Sequence, residues 1–247
     1  MAQDPRLAQQ YQLSGEYEKA ADLYLRLYQQ APNPYYFDRY IECLISLDEL
    51  PKAESTIRKE IKSAPDNIEL YVTLGGILDK LDKKEESEAA YRNAISQIRK
   101  DQFSIHRLGN AFATMGKTDL AIEVYEKGEK LFPDLHIYSL TLADLYKTKG
   151  DVSKMIGAYL NLLEVRPEEI GNVKTMFARG LSTTEFDELQ KQLYNRIQQN
   201  QDSDVYPELL GWIFLQRNDY ANALRQFKAL DRRNQEDGLR VYGLAYG

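Results

Sequence analysis

The 247-residue chain has one cysteine, two histidines, one tryptophan and no long apolar run, and each shortage closes off a class of protein. Cys43 alone cannot form an internal disulfide, and its place among Tyr40, Leu44 and Leu47 reads as a buried hydrophobe rather than a reactive thiol. His106 and His136 have no Cys or His companion at metal-ligand spacing, so zinc binding is not expected. No stretch approaches the ~20 apolar residues needed to cross a membrane, so direct membrane insertion is not expected either. Positive charge is also short: the net charge is −6 and Lys and Arg are dispersed. Nucleic-acid binding needs a basic stripe that releases counterions from several phosphates, and none is visible, so no nucleic-acid partner is expected. Glycine-rich phosphate cradles and the Gly-x-Ser-x-Gly elbow are missing. A Ser-His-Asp arrangement stays open from spacing alone, but nothing points to one, and the chain reads as non-catalytic with no cofactor. The acidic pairs Glu85-Glu86 and Glu168-Glu169 lie near helix starts, where they offset the helix dipole.

What the chain does have is a period. Tyr91, Tyr125 and Tyr159 fall 34 residues apart, and counting outward from them puts the whole sequence in register as about seven copies of one motif. An aromatic or aliphatic column runs Tyr24, Ile57, Tyr91, Tyr125, Tyr159, Leu193, Phe227. Small residues stand four positions before it at Ala20, Ala53, Ser87, Ala121 and Ala223, and a second small column reads Ala8, Gly75, Gly109, Ala143 and Gly211. Large residues flank that second column, with Leu7, Leu74, Leu108, Leu142 and Leu210 ahead of it and Tyr11, Leu44, Leu78, Phe112, Tyr146 and Phe214 behind. Spacings of three and four place these on one face of a helix, so each copy is a pair of amphipathic helices. Small residues let the two backbones approach until neighbouring Leu and Tyr side chains interlock. Gly15, Gly116 and Gly150 mark the turns inside hairpins, and Pro32, Pro65, Pro133 and Pro167 end second helices. Asp66 with Glu69 reads as a capping box opening the next helix.

The run Leu108, Gly109, Phe112, Gly116, Ala121, Tyr125 and Pro133 resembles the tetratricopeptide repeat almost position for position, and the match recurs over roughly residues 1 to 235. The resemblance implies an all-α, right-handed superhelical solenoid of stacked antiparallel hairpins, with first helices lining a concave groove. We expect one continuous domain over 1–247, with repeats near 1–33, 34–67, 68–101, 102–135 and 136–169, a degenerate copy at 170–203, then 204–237 and a truncated eighth at 238–247. In this family the groove is lined by first-helix residues, which here are Tyr35, Arg39 and Glu42 in the second repeat and Phe103, His106, Arg107 and Asn110 in the fourth. Asp144 and Lys147 in the fifth and Trp212 in the seventh join them. Aromatic rings with Arg and Asn suit an extended peptide, since rings supply apolar area while amides and guanidinium satisfy its backbone or a carboxylate. The resemblance therefore implies a protein or peptide partner, of a kind the sequence does not name. The two-carboxylate clamp of chaperone-binding members is not supplied by any three consecutive repeats, which disfavours chaperone tails. The acidic charge and the 34-residue period also argue against the RNA-reading pentatricopeptide relatives.

The sixth copy departs from the pattern. Phe177 and Leu189 stand where small residues belong, and Gly180 stands where an aromatic belongs. Two bulky groups in a close crossing cost roughly 1–3 kcal/mol, so this hairpin should open wider or shift register, with a change of curvature near 168–200. At the ends, Ala2-Gln3-Asp4 runs almost directly into the first helix, as in an exported protein after signal removal with Met1 added. The expectation is a bacterial cell-envelope protein, favoured over a cytoplasmic one. Val241, Leu244 and Ala245 read as the first helix of an eighth repeat without its partner, which suggests that the natural chain continues beyond Gly247. Self-association through Tyr242, Leu244 and Tyr246 is a further expectation. The function read here is a non-catalytic interaction scaffold, pictured inside an envelope assembly; the alternative is the substrate-presenting repeat portion of a longer enzyme.

Overall fold

The computed structural model describes residues 5–234 and 240. The chain is all-α, with fourteen α-helices and no strand among the described residues. It falls into two compact units, Met1–Arg99 and Lys100–Gly247. In the first, α1 (Pro5–Leu13) is followed by α2 (Tyr17–Gln30), α3 (Pro34–Ser46) by α4 (Leu50–Ser63), and α5 (Ile68–Lys80) by α6 (Lys84–Ser96). In the second, α7 (Gln102–Thr114) is followed by α8 (Thr118–Leu131), α9 (Ser139–Lys149) by α10 (Val152–Val165), α11 (Ile170–Gly180) by α12 (Thr183–Gln199), and α13 (Val205–Gln216) by α14 (Tyr220–Arg233). Seven successive helix pairs are present among the described residues.

Hairpin turns pass through a left-handed residue. Gly15, Gly116 and Gly150 have φ of 75°, 71° and 78°, and the same register is held by Asp48, Asp82 and Asn218 at 60°, 57° and 57°. Asp and Asn tolerate this region because a short polar side chain can bond to its own backbone. The sixth pair has no such turn. Leu181 and Ser182 are extended, and Glu185 accepts from both the backbone N–H and the hydroxyl of Ser182 at 2.6 Å each, so the true capping box lies here. The box expected at Asp66 is not formed. Asn67, one residue nearer the helix, caps α5 by accepting from the Glu69 N–H at 3.1 Å, while Asp66 pairs with Arg99. Second helices do stop ahead of the prolines, at Gln30, Ser63, Leu131 and Val165.

The small columns set how closely each pair packs. A Cβ added at Gly109 would sit 2.4 Å from the Tyr125 ring, one at Gly75 2.3 Å from Tyr91, and one at Gly211 2.6 Å from Phe227. Each glycine therefore makes room for the ring sixteen positions on in its own hairpin. Where no ring stands there, a large residue takes the small one's place. Ile41 stands opposite Ile57 in the second hairpin and Phe177 opposite Leu193 in the sixth, all almost fully buried. Helix spacing follows this exchange: α3 and α4 touch over a much shorter stretch than the Gly or Ala hairpins, and α11 and α12 do not form a closely packed pair. Instead α12 lies against α10 and α13, and Phe177 meets the Tyr159 ring edge-on at 5.5 Å. The wider opening expected for the sixth hairpin is present, and the second shares it for the same reason.

Tyrosine in the core also makes the fold sensitive to alkali. Burial is the first cause that raises the Tyr24, Tyr28, Tyr138 and Tyr206 hydroxyls to about 12, and it raises Tyr91 and Tyr146 further, helped by Asp79 and Glu126 respectively. A phenol whose folded pKa lies above its unfolded value of roughly 10 gives stability that is complete below pH 10 and is lost as pH rises through the folded value. We expect cooperative unfolding between about pH 10 and 12, with tyrosinate absorbance rising in the same transition as helix is lost. Gradual tyrosine titration with helix retained throughout that window would contradict it.

Candidate peptide-binding face

In the first unit the side chain of Asn33 caps α3 by accepting from the Tyr35 N–H at 2.9 Å, with Pro34 pre-shaped for the first turn. Tyr35 is thereby fixed on that turn with 45% of its surface exposed. Spacing of four brings Arg39 beneath it, with the guanidinium 5.2 Å from the ring centroid. Arg39 Nη1 donates to Glu42 at 2.6 Å, and Glu42 also accepts from Gln12 of α1 at 3.1 Å. The three sequence-predicted residues are therefore one contiguous cluster. Gln12 joins it from the preceding hairpin, where spacing along α3 gives no sign of it.

The second unit repeats the device. Asp101 caps α7 by accepting from the Phe103 and Ser104 N–H groups, and the Ser104 bonds hold its carboxyl below the usual carboxylate range. Phe103 is 71% exposed, with the Arg107 guanidinium 5.7 Å from its ring centroid. Arg107 and Phe103 stand at the same repeat positions as Arg39 and Tyr35. One turn on, Asn110 Oδ1 accepts from the Tyr125 hydroxyl at 2.8 Å, which turns its amide nitrogen toward His106 Nε2 at 2.9 Å. A core tyrosine thus orients a surface amide. Leu140, at the register of His106 on α9, is 45% exposed and adds an apolar position that the sequence reading does not include.

Asp144 and Lys147 stand exposed one turn apart on α9. Trp212 on α13 is half-buried against Phe186 of α12, ring centroids 6.0 Å apart. Cys43 is fully buried and burial pushes its thiol up to about 11, which suits the packing role read for it. Among the described residues no group of three or more His, Cys, Asp or Glu side chains could hold a metal ion, and no helix is long and apolar enough to cross a membrane. The positions expected to form an eighth helix or a self-association patch, Val241, Tyr242, Leu244, Ala245 and Tyr246, lie outside the described residues.

Residues 68–101 and 104–135, which are the α5–α6 and α7–α8 hairpins, match the family model of the tetratricopeptide repeat. These two hairpins are tetratricopeptide repeats. Such repeat proteins are generally non-catalytic scaffolds for protein–protein interaction. Solved structures with similar folds include MamA, at 20% identity and a TM-score of 0.38 over 66% of this chain and 95% of that one. A thermophilic tetratricopeptide repeat protein of Thermus thermophilus gives 19% and 0.38 over 71% and 95%. A tetratricopeptide repeat protein of Parabacteroides merdae gives 13% and 0.39 over 92% and 90%. Scores this low add no argument about function. No curated protein matches the sequence.

Proposed function

We propose that the chain is a non-catalytic scaffold in which first helices of the second unit hold an extended peptide or protein segment in a concave groove. The observation that carries this reading is the exposed ring-on-guanidinium stack Phe103–Arg107 of the second unit, a device that the first unit holds by itself in Tyr35–Arg39. A helix surface needs neither an exposed Phe nor an exposed Tyr to fold. Stacked on arginine they form flat, pre-ordered surfaces with a hydrogen-bonding edge, which is what an extended segment offers its own alternating side chains and amides to. His106, Asn110, Asp144 and Lys147 supply polar groups on the neighbouring turns.

The test is capture of a partner from the native source by the Phe103→Ser, Arg107→Glu double variant. Both side chains are exposed, so the urea midpoint should move little, while partner affinity should fall at least tenfold, about 1.4 kcal/mol or more. Asn110 is left alone on purpose, since Asn110→Ala would strip the Tyr125 hydroxyl of its 2.8 Å acceptor and confuse binding with stability. Undiminished capture by the double variant would reject the groove.

A further inference from the structure

We propose that a cleft among α4, α5 and α6 takes one aromatic side chain of a partner protein that carries a carboxylate on the neighbouring residue. The cleft has a volume of about 350 Å³, opens to solvent and lies wholly within the first unit. That is the small end of the roughly 300–1,000 Å³ of ligand pockets, room for one large side chain rather than a whole ligand. Leu74 and Ala90, both nearly buried, form its floor, and half-buried Ile61 and Tyr71 stand beside them. One repeat earlier, the chain shows what fills such a place. Tyr28 of α2 and Phe37 of α3 hold the repeat positions of Ile61 and Tyr71, and their rings meet with centroids 5.2 Å apart. Ser55 and Thr56 of α4 correspond to Ala89 and Ala90. Isoleucine in place of tyrosine, beside two alanines, leaves the volume of a ring open. A ring supplied from outside would meet Tyr71 as Tyr28 meets Phe37.

The rim selects the charge of what enters. Arg58 is committed twice, its Nε donating to Glu54 at 2.8 Å and its Nη2 to Glu86, so the charges of Arg58 and Glu86 on the rim are satisfied by each other. Lys62, one turn on along α4, lines the same cleft, is exposed and forms no ion pair among the described residues. The charge left over at the mouth is therefore positive. An ammonium on a flexible four-carbon stem can meet a carboxylate at more than one position, so an acidic residue beside the ring is enough. The side-chain amide of Asn93 on α6 also has no hydrogen-bond partner among the described residues, and a group that both donates and accepts suits the main chain of an entering segment. None of these residues is among those placed in the groove.

The experiment is methyl and aromatic NMR of the full chain titrated with three capped dipeptides, N-acetyl-Phe-Glu-amide, N-acetyl-Phe-Gln-amide and N-acetyl-Ala-Glu-amide, and separately with 3-phenylpropanoate. We expect saturable shifts from the Phe-Glu probe confined to Ile61, Leu74, Ala90 and the Tyr71 ring. The Gln probe should bind about threefold more weakly, since an exposed ion pair supplies little, and the Ala probe at least tenfold more weakly. Lys62→Gln should bring the Phe-Glu probe down to the level of the Phe-Gln probe. Ile61→Tyr, which copies Tyr28, should fill the cleft itself, so that binding falls at least tenfold while the urea midpoint stays level or rises. No localised shift, equal binding of the Ala probe, no effect of Lys62→Gln, undiminished binding by Ile61→Tyr or a lowered midpoint in that variant would each overturn the proposal. So would 3-phenylpropanoate binding as tightly as Phe-Glu, which would make the cleft a small-acid site, or shifts of the same signals with chain concentration alone, which would make it a contact between copies. None of these results bears on Phe103 and Arg107, so the groove stands or falls on their double variant alone.

Discussion

Gly109→Ile is expected to lower the stability of the protein by about 3 kcal/mol, and adding Tyr125→Ile to return part of that loss. The first effect follows from geometry. An ideal Cβ at 109 lies 2.4 Å from Tyr125 Cζ and 2.5 Å from Cε2, inside any allowed contact, and the ring is fully buried with no space to retreat into. Tyr125→Ile by itself should cost about 2 kcal/mol, from the emptied volume and from the lost bond to Asn110. If the two sites acted independently, the double variant would lose the sum. The second hairpin shows why it should not: Ile41 and Ile57 occupy the equivalent crossing, each almost fully buried, with the helices correspondingly less closely paired. A favourable coupling of at least about 1 kcal/mol in urea unfolding is therefore expected. Strict additivity would show that helix spacing is set elsewhere than at this crossing.

That crossing also marks how far the sequence could be read. The all-helical order of consecutive pairs was legible because Leu, Gly, Ala and Tyr recur with helical spacing inside a 34-residue period, and packing demands each of them. The opening of the second hairpin was not, since Ile41 looks like ordinary core until the ring it replaces is placed beside it. Asp48, Asp82 and Asn218 do not stand out as turn residues, because the left-handed position accepts three residue types and only Gly is distinctive in sequence. In the candidate site, contacts within one helix were legible: Tyr35, Arg39 and Glu42 meet as their spacing of four and three requires. Contacts between helices were not. Gln12 and the Phe186 ring against Trp212 both come from a different helix, and a period fixes which face a residue takes without fixing its neighbour across the gap.

The sixth hairpin turns this lesson into a second result that runs against intuition. Restoring the repeat pattern there, with Phe177→Gly, should destabilise the protein by about 4–6 kcal/mol rather than improve it. In the first, third, fourth, fifth and seventh hairpins a small residue is stabilising because a Tyr or Phe sixteen positions on fills the space it leaves. Here that position is Leu193, and α12 is packed on α10 and α13 instead of closing on α11. Phe177 fills the space with no exposed surface and presents its ring edge-on to Tyr159 at 5.5 Å, so removing it opens a cavity that helices held from outside the pair cannot close. Glycine within α11 adds about 1 kcal/mol of backbone cost. Leu193→Tyr together with Phe177→Gly should recover only a minor part, because the ring would point into a gap wider than the one Tyr125 occupies beside Gly109. Thermal or urea unfolding decides the matter: a Phe177→Gly midpoint equal to or above that of the parent would mean that this pair closes like the others and that its bulky residues are drift.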